Sequence, residues 1–356
     1  MFAYLLLALS PLILATMLPY YKEEKAQKRK YYIILGIIFV FIIGFRSIDL
    51  GSTDTYVYTK QFLNAGSYDN LSDYLSIRNV TEIGYNTFEW ILARLFGKPV
   101  YLIVVTSIIY VLSVFGFAKK NSTSPAYSIF LYVTIALLLF NMQGMRQSLA
   151  MSICIFSYEY VKKRKPIKFF ILVALAFFFH RTAIVFAIIY FLYGQKLTKK
   201  RALLYVPISA IVLLLSNQII DFANKVFTFG GIERTYTGIA SGGGYVTLFL
   251  HILILVVAIL GSKNDNDNDN EYSLLFYMSL LCTISFLMRY FGAYEAERIS
   301  FYFAYAEIAL LPNSIERLKP SNRVIVQVGF FVIAMAIFIS KLINNNFLPY
   351  SFFWNS

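Results

Sequence analysis

The sequence is short of charge. Asp, Glu, Lys and Arg make up 14% of its 356 residues, where a soluble domain carries about 25%. Acid is scarcer still, with 19 Asp and Glu against 32 Lys and Arg. The apolar share is 58% and the mean hydropathy is positive. This excludes an ordinary water-soluble domain. It leaves a polytopic membrane protein built of helices, because lipid offers no partner to an unsatisfied backbone group. Cysteine is nearly absent. Cys154 and Cys282 both lie inside apolar runs, so a disulfide framework is excluded and both read as small core residues, with no metal site expected. No stripe of basic residues interleaved with aromatics occurs on a soluble stretch. The net charge of +13 is therefore not a nucleic-acid surface. The first apolar run lacks a basic leader and a small-residue cleavage site, and is expected to be a retained span.

What is present is apolar length. Candidate spans cover residues 2–20, 31–45, 99–118, 125–141, 146–161, 167–179, 182–194, 202–219, 245–260, 272–288, 299–315 and 324–340. This predicts an all-α fold with about 12 transmembrane helices and a single domain over 1–356. The intervening loops alternate in charge. KEEKAQKRK, AKKNSTSPA, KKRKPIK, GQKLTKKR, GSKNDNDNDNE and ERLKPSNR form the basic set. The positive-inside rule puts that set in the cytoplasm. Both termini and the long loop 46–98 then face outward.

The run from Lys168 to Gly194 has basic clusters on both sides, so it must go out and return. Each arm holds about 13 residues, or roughly 20 Å of helix, against a hydrocarbon core of about 30 Å. Its tip, His180–Arg181, is expected below the outer surface, on the floor of a cavity open to the outside. The alternative is a locally thin bilayer with a snorkelling Arg181.

Other charges gather at the same face. Arg46, Asp49 and Asp54 follow the second span, with Gly51 as a helix breaker. Arg146 opens the fifth span. Arg289, Glu295, Glu297 and Arg298 share one short turn. In EIGYNTFEWILARLFG, Phe88, Ile91, Leu92, Leu95 and Phe96 recur at helical spacing, which predicts an interfacial helix over 82–97. Arginines collected at outer span ends ask for an anion, and phosphate suits the guanidinium fork. Weaker signals read as ordinary structure. The acidic run Asp265 to Glu271 is a solvated loop, Asn79-Val80-Thr81 is a chance sequon, and Ser241 to Tyr245 is a flexible loop. His251, without charged neighbours in its span, is a core histidine. Glu307 either pairs with a core donor or belongs to the cavity.

Five motifs in order, FRSIDLGSTDTYVY (45–58), EIGY (82–85), MRQSLA (145–150), FFHRTA (178–183) and ERISFYF (297–303), make the chain resemble the EpsG-like, Wzy-type bacterial polysaccharide polymerases of capsule, exopolysaccharide or O-antigen synthesis. The resemblance runs from about residue 30 to 315. In many members a small or polar residue follows the histidine; here it is Arg181. The resemblance implies a glycosyltransferase at the outer face of the cytoplasmic membrane. A growing glycan leaves undecaprenyl diphosphate for a hydroxyl of the incoming undecaprenyl-diphosphate-linked repeat unit. Membrane lipid, a chain-length regulator and a flippase are the implied partners, with no cofactor and no metal. Arg146, Arg298 and Arg289 are the candidates for the leaving diphosphate. His180 is the first candidate base or diphosphate donor, followed by Asp54 and Glu295. Arg181 is its charge partner, and Arg46 and Asp49 fix the loop or bind sugar. The competing reading is a flippase for the same lipids, which would need charge along its whole path and favours an internal repeat.

Overall fold

The computed structural model describes residues 1–18, 25–51, 54–78, 82–227, 244–262, 269–293 and 295–355. The sequon at 79–81, residues 241–243 of the glycine-rich loop and residues 265–268 of the acidic run lie outside them. The fold is all-α. Its helices are α1 Phe2–Met17, α2 Lys25–Gly44, α3 Asp54–Gly66, α4 Leu71–Ser76, α5 Ile83–Phe96, α6 Val100–Asn121, α7 Pro125–Thr134, α8 Leu137–Gln143 and α9 Met145–Lys162. They continue with α10 Pro166–Phe179, α11 Ile189–Leu192, α12 Lys199–Leu214, α13 Ser216–Phe227, α14 Tyr245–Gly261, α15 Asn270–Met288, α16 Ala296–Arg317 and α17 Pro320–Asn344. Among the described residues three helical stretches are long and apolar enough to cross a membrane: Val100–Asn121, Asn270–Phe291 and Pro320–Asn344. A fourth arises if α7 and α8, bent by 57° at their break, count as one span.

Two apolar segments differ from straight helices. Segment 125–141 breaks at Ala136, whose φ of 73° is left-handed. No Pro or Gly marks that break, and a non-glycine residue there costs about 1–2 kcal/mol. A buried polar network holds it. Asn141 donates to Tyr132 and Tyr305, each at 2.8 Å, and accepts from Ser148 at 3.1 Å. Segment 182–194 is largely a 3-10 helix, Arg181–Ile188, followed by α11. A 3-10 helix rises about 2.0 Å per residue against 1.5 Å for an α-helix, which lengthens an arm short of residues.

The hairpin expected from the charge pattern is present as a fold. Phe169, early in α10, stacks on Tyr190 in α11 with ring centroids 5.5 Å apart, so the arms run antiparallel and His180–Arg181 forms the tip. Helices α3 and α5 cover this end of the bundle. Tyr58, Phe62, Tyr85 and Leu92 pack with Leu102 and Ile103 of α6 and Met145 and Leu149 of α9. Helix α5 is the helix expected over 82–97, ended by Gly97 in the left-handed conformation. Its apolar stripe divides. Leu92 is buried, whereas Ile91, Leu95 and Phe96 are exposed.

Candidate functional site

The site is built where α5, the hairpin tip and the start of α9 meet. His180 has extended backbone geometry. Its N–H donates to Ala176 at 2.9 Å and its carbonyl accepts from Ala183 at 2.9 Å, so the backbone fixes the ring's origin. Helix α5 approaches closely because residue 84 is glycine. A Cβ there would sit 3.0 Å from the Phe178 carbonyl. Phe88 packs on Phe179, with centroids 6.1 Å apart. This contact sets Glu82, the N-cap of α5, beside the imidazole.

Glu82 bridges an imidazole and a guanidinium. Its Oε1 lies 2.8 Å from His180 Nδ1, and its Oε2 accepts from Arg146 Nη1. Arg146 also packs against the Tyr58 and Tyr85 rings, 5.4 and 5.8 Å from their centroids, and Nε reaches the Tyr58 hydroxyl at 3.4 Å. A cation in the first turn of a helix opposes the helix dipole, at a cost of about 0.3–1 kcal/mol. Glu82 and the two ring faces offset it. Nη2 of Arg146 has no hydrogen bond among the described residues.

His180 stands between the hairpin arms and Glu82 precedes α5, so both are outside the apolar segments. Burial lowers the His180 pKa below the usual imidazole value. Arg146 and Arg298 push the same way, and the Glu82 contact opposes without prevailing. For Glu82, burial alone would raise the pKa, but the contacts with His180 and Arg146 outweigh it and hold the carboxyl at about 2. Near neutral pH the pair is a carboxylate and a neutral imidazole. Nδ1–H then donates to Glu82, and Nε2 is left with its lone pair for an outside partner.

A second helix start adjoins the first. Gln147 Nε2 donates to the Arg298 carbonyl at 2.6 Å, which sets the first turns of α9 and α16 side by side. Thr182 Oγ1 is 3.2 Å from the Tyr302 hydroxyl, one turn beyond Arg298 on α16. Arg298 also lines a cavity of about 890 Å³, with Arg289, Glu297, Lys341, Phe140 and Phe301. Arg289 is buried and pairs with Glu297 at 2.7 Å. Arg298 thus links the cavity to the His180–Glu82–Arg146 cluster.

The other sequence candidates fall in different places. Arg46 is 1% exposed. Its Nη1 donates to the Ile43 carbonyl at 2.7 Å, and Nη2 donates to the Met142 carbonyl. Asp49 is exposed and turns back on Ser47, its N–H donating to the hydroxyl at 3.2 Å. Asp54 opens α3 one turn before Tyr58, and Glu295 is the N-cap of α16. Neither bonds to His180. Arg181 is half-buried and forms no ion pair among the described residues; the charged partner of His180 is Glu82. His251, read as a core histidine without charged neighbours, bonds Glu307 through Nδ1 at 2.8 and 2.9 Å. Glu307 therefore takes the core-donor alternative.

Sequence reasoning assigned no role to Glu82, although EIGY contains it, nor to Tyr58, Tyr85 or Lys341. It also passed over Glu89, a buried carboxylate that accepts from Tyr74 at 2.6 Å and Tyr85 at 3.3 Å. Lys341 carries no local signal at all, being one lysine near the end of an apolar helix.

No curated protein and no solved structure matches the chain significantly. A family model described as the EpsG family matches residues 29–352, nearly the whole length, and the chain belongs to that family.

Proposed function

We propose that the chain is a polysaccharide polymerase that joins lipid-linked oligosaccharide repeat units at the outer face of the bacterial cytoplasmic membrane. Membership of the EpsG family supports a polymerase-type glycosyl transfer. The observation that carries the chemistry is the Glu82–His180 pair, 2.8 Å apart, with Arg146 and Arg298 around it. The reading also keeps about twelve spans, an external loop 46–98 and outward termini, supported by the alternation of basic and non-basic loops.

In this scheme the acceptor hydroxyl of the incoming undecaprenyl-diphosphate-linked unit approaches Nε2 of His180. The oxygen attacks the anomeric carbon of the growing glycan and its proton passes to Nε2. Glu82 holds the ring and stabilises the imidazolium that forms. The bond from the anomeric carbon to the diphosphate oxygen breaks, and undecaprenyl diphosphate leaves with the electron pair. Arg146 and Arg298, beside two helix N-termini, neutralise the leaving diphosphate. Arg289 and Lys341 extend positive charge into the cavity, where Phe140, Phe301 and Gln143 offer surfaces for sugar. Arg46 holds the entry to the outer loop through two backbone carbonyls. Exposed Ile91, Leu95 and Phe96 on α5 suit a lipid-facing border for the polyprenyl tail. A flippase and a chain-length regulator are the partners this reaction would need.

The test is polymerisation by the purified full-length chain with synthetic polyprenyl-diphosphate repeat units and no added metal. A ladder of products is expected, lost in His180→Ala. Movement of the same lipid across proteoliposomes without a ladder would establish the flippase reading instead.

A further inference from the structure

Three residues that this reaction does not use meet beneath the cavity. Thr247 of α14 and Phe286 of α15 line the cavity. One helical turn deeper on those helices stand His251 and Cys282. Glu307 reaches the same point from α16. Nδ1 of His251 is 2.8 and 2.9 Å from the two Glu307 oxygens, and Cys282 Sγ is 3.9 Å from that nitrogen. The three ligand atoms all lie within 4.8 Å of one another, and all three residues are buried. Ser279 donates to Glu307 Oε1 at 3.0 Å, and the His251 ring meets Phe286 edge-on at 5.3 Å.

A histidine–carboxylate pair alone explains the nitrogen and the oxygens. The thiol of Cys282 faces both members of that pair, 3.9 Å from the nitrogen and also beside the Glu307 carboxylate. One nitrogen, one sulfur and one carboxylate converging from three helices is the donor set of a borderline-soft divalent ion. Around a tetrahedral zinc ion, nitrogen and sulfur ligands sit about 3.5 Å apart and nitrogen and oxygen about 3.3 Å apart. Here the nitrogen–sulfur spacing of 3.9 Å is longer and the nitrogen–oxygen spacings of 2.8 and 2.9 Å are shorter, so side-chain shifts of roughly half an ångström would accommodate the ion. The Ser279 hydroxyl supplies the outer hydrogen bond that a ligating carboxylate commonly has.

We propose that His251, Cys282 and Glu307 bind one divalent transition-metal ion of the zinc class. Three protein ligands leave one tetrahedral position for a water. The ion ties α14, α15 and α16 together under the cavity floor, and so sets the helices that carry Phe286, Arg289, Glu297 and Arg298. It acts on position, away from the reacting atoms, and its presence does not depend on the polymerase reading.

The experiment is elemental analysis of the full-length chain, purified in detergent from zinc-supplemented cells and briefly washed with chelator to strip surface metal. About one zinc ion per chain is expected. Cys282→Ser and Glu307→Gln should each lower the content by roughly tenfold. A second readout needs no variant: chain produced in cobalt medium should show a thiolate-to-cobalt charge-transfer absorption. Wild-type chain with less than about 0.1 metal ion, together with no cobalt–thiolate absorption, overturns the site. So does a metal content that stays unchanged in both variants, since the ion would then be held elsewhere. Zinc bound in a chain that forms no ladder would leave this site standing while removing the polymerase reading.

Discussion

The two ends of the helix bundle treat their cations differently. At one end Lys119, Lys120, Lys163, Arg164 and Lys165 are exposed. Contacts there tie helix ends together: Lys162 reaches Asn121 at 2.9 Å and Glu271 at 3.3 Å, and Arg317 pairs with Asp269. At the other end Arg46 and Arg289 are buried, and Arg146 is closed in by Glu82, Tyr58 and Tyr85. A solvated lysine costs the fold nothing, whereas a guanidinium taken out of water must be matched by partners. The first end is what the positive-inside rule asks of cytoplasmic loops. The second keeps a desolvated cluster around one histidine. Charge counts alone do not separate the two ends; burial and partners do.

The largest effects should come from breaking the histidine end. His180→Ala is expected to lower the polymerisation rate by about 10²–10⁴-fold, the usual worth of a general base, with the protein still in the membrane. An unchanged ladder would remove His180 from the chemistry. Arg146→Ala and Arg298→Ala should each cost about 10²–10³-fold, as for other groups that meet developing charge. Arg146→Lys should not restore activity, because a lysine cannot hold Glu82 and a phosphate oxygen as the fork does.

The pH dependence sharpens the same contrast. The rate should rise with pH through an apparent pKa below the ordinary 6.5 of histidine, since burial, with help from Arg146 and Arg298, lowers that of His180. Glu82 acts in the opposite sense, so Glu82→Gln should move the acid limb to still lower pH as well as slow the reaction. A limb that moves upward would show that Glu82 does not act on the ring. Stability follows with a matching sign. The Glu82 carboxyl is held at about 2, below its ordinary 4.5. Its contribution is present above pH 4.5 and is lost as pH falls from 4.5 toward 2. Unfolding midpoints in detergent should fall over that window in wild type and less in Glu82→Gln.

Part of this was legible beforehand. A lone histidine at the centre of an apolar run, with basic clusters on both flanks, already implied a hairpin with a functional tip. Among the described residues the apolar segments are helical, because length and hydropathy are local properties. The partner of His180 was not legible, since Glu82 is 98 positions away and only the close approach at Gly84 brings it in. The break at Ala136 was invisible for a similar reason: it is held by Asn141, Tyr132 and Tyr305, contacts between separate helices. Arg46 looked like its neighbours Asp49 and Asp54, and burial alone separates it from them.

Two smaller effects come from the frame around the site. Gly84→Ala should push α5 off the Phe178 carbonyl and lower activity with little loss of expression, which an activity assay beside a thermal melt would separate. Arg46→Ala removes a donor from the Ile43 carbonyl and leaves the Met142 carbonyl with the Thr55 hydroxyl at 3.5 Å, and should cost about 1–3 kcal/mol of stability with a smaller effect on rate per folded molecule.

The smallest effect belongs to the opposite end, where it tests the comparison most directly. Lys163→Ala and Lys165→Ala remove exposed charges, so each should change stability by no more than about 0.5 kcal/mol. The polymerisation rate should stay within about twofold, since a solvated lysine adds little to any one interaction. Orientation can be read on the same chains. A cysteine introduced as Arg181→Cys should react with an impermeant thiol reagent added outside the cell, and one introduced as Lys163→Cys only after the membrane is opened. If Lys163→Cys is labelled from outside while Arg181→Cys is not, the two ends have been assigned to the wrong sides. The buried cluster would then face the cytoplasm, and the proposed transfer at the outer face would have no site.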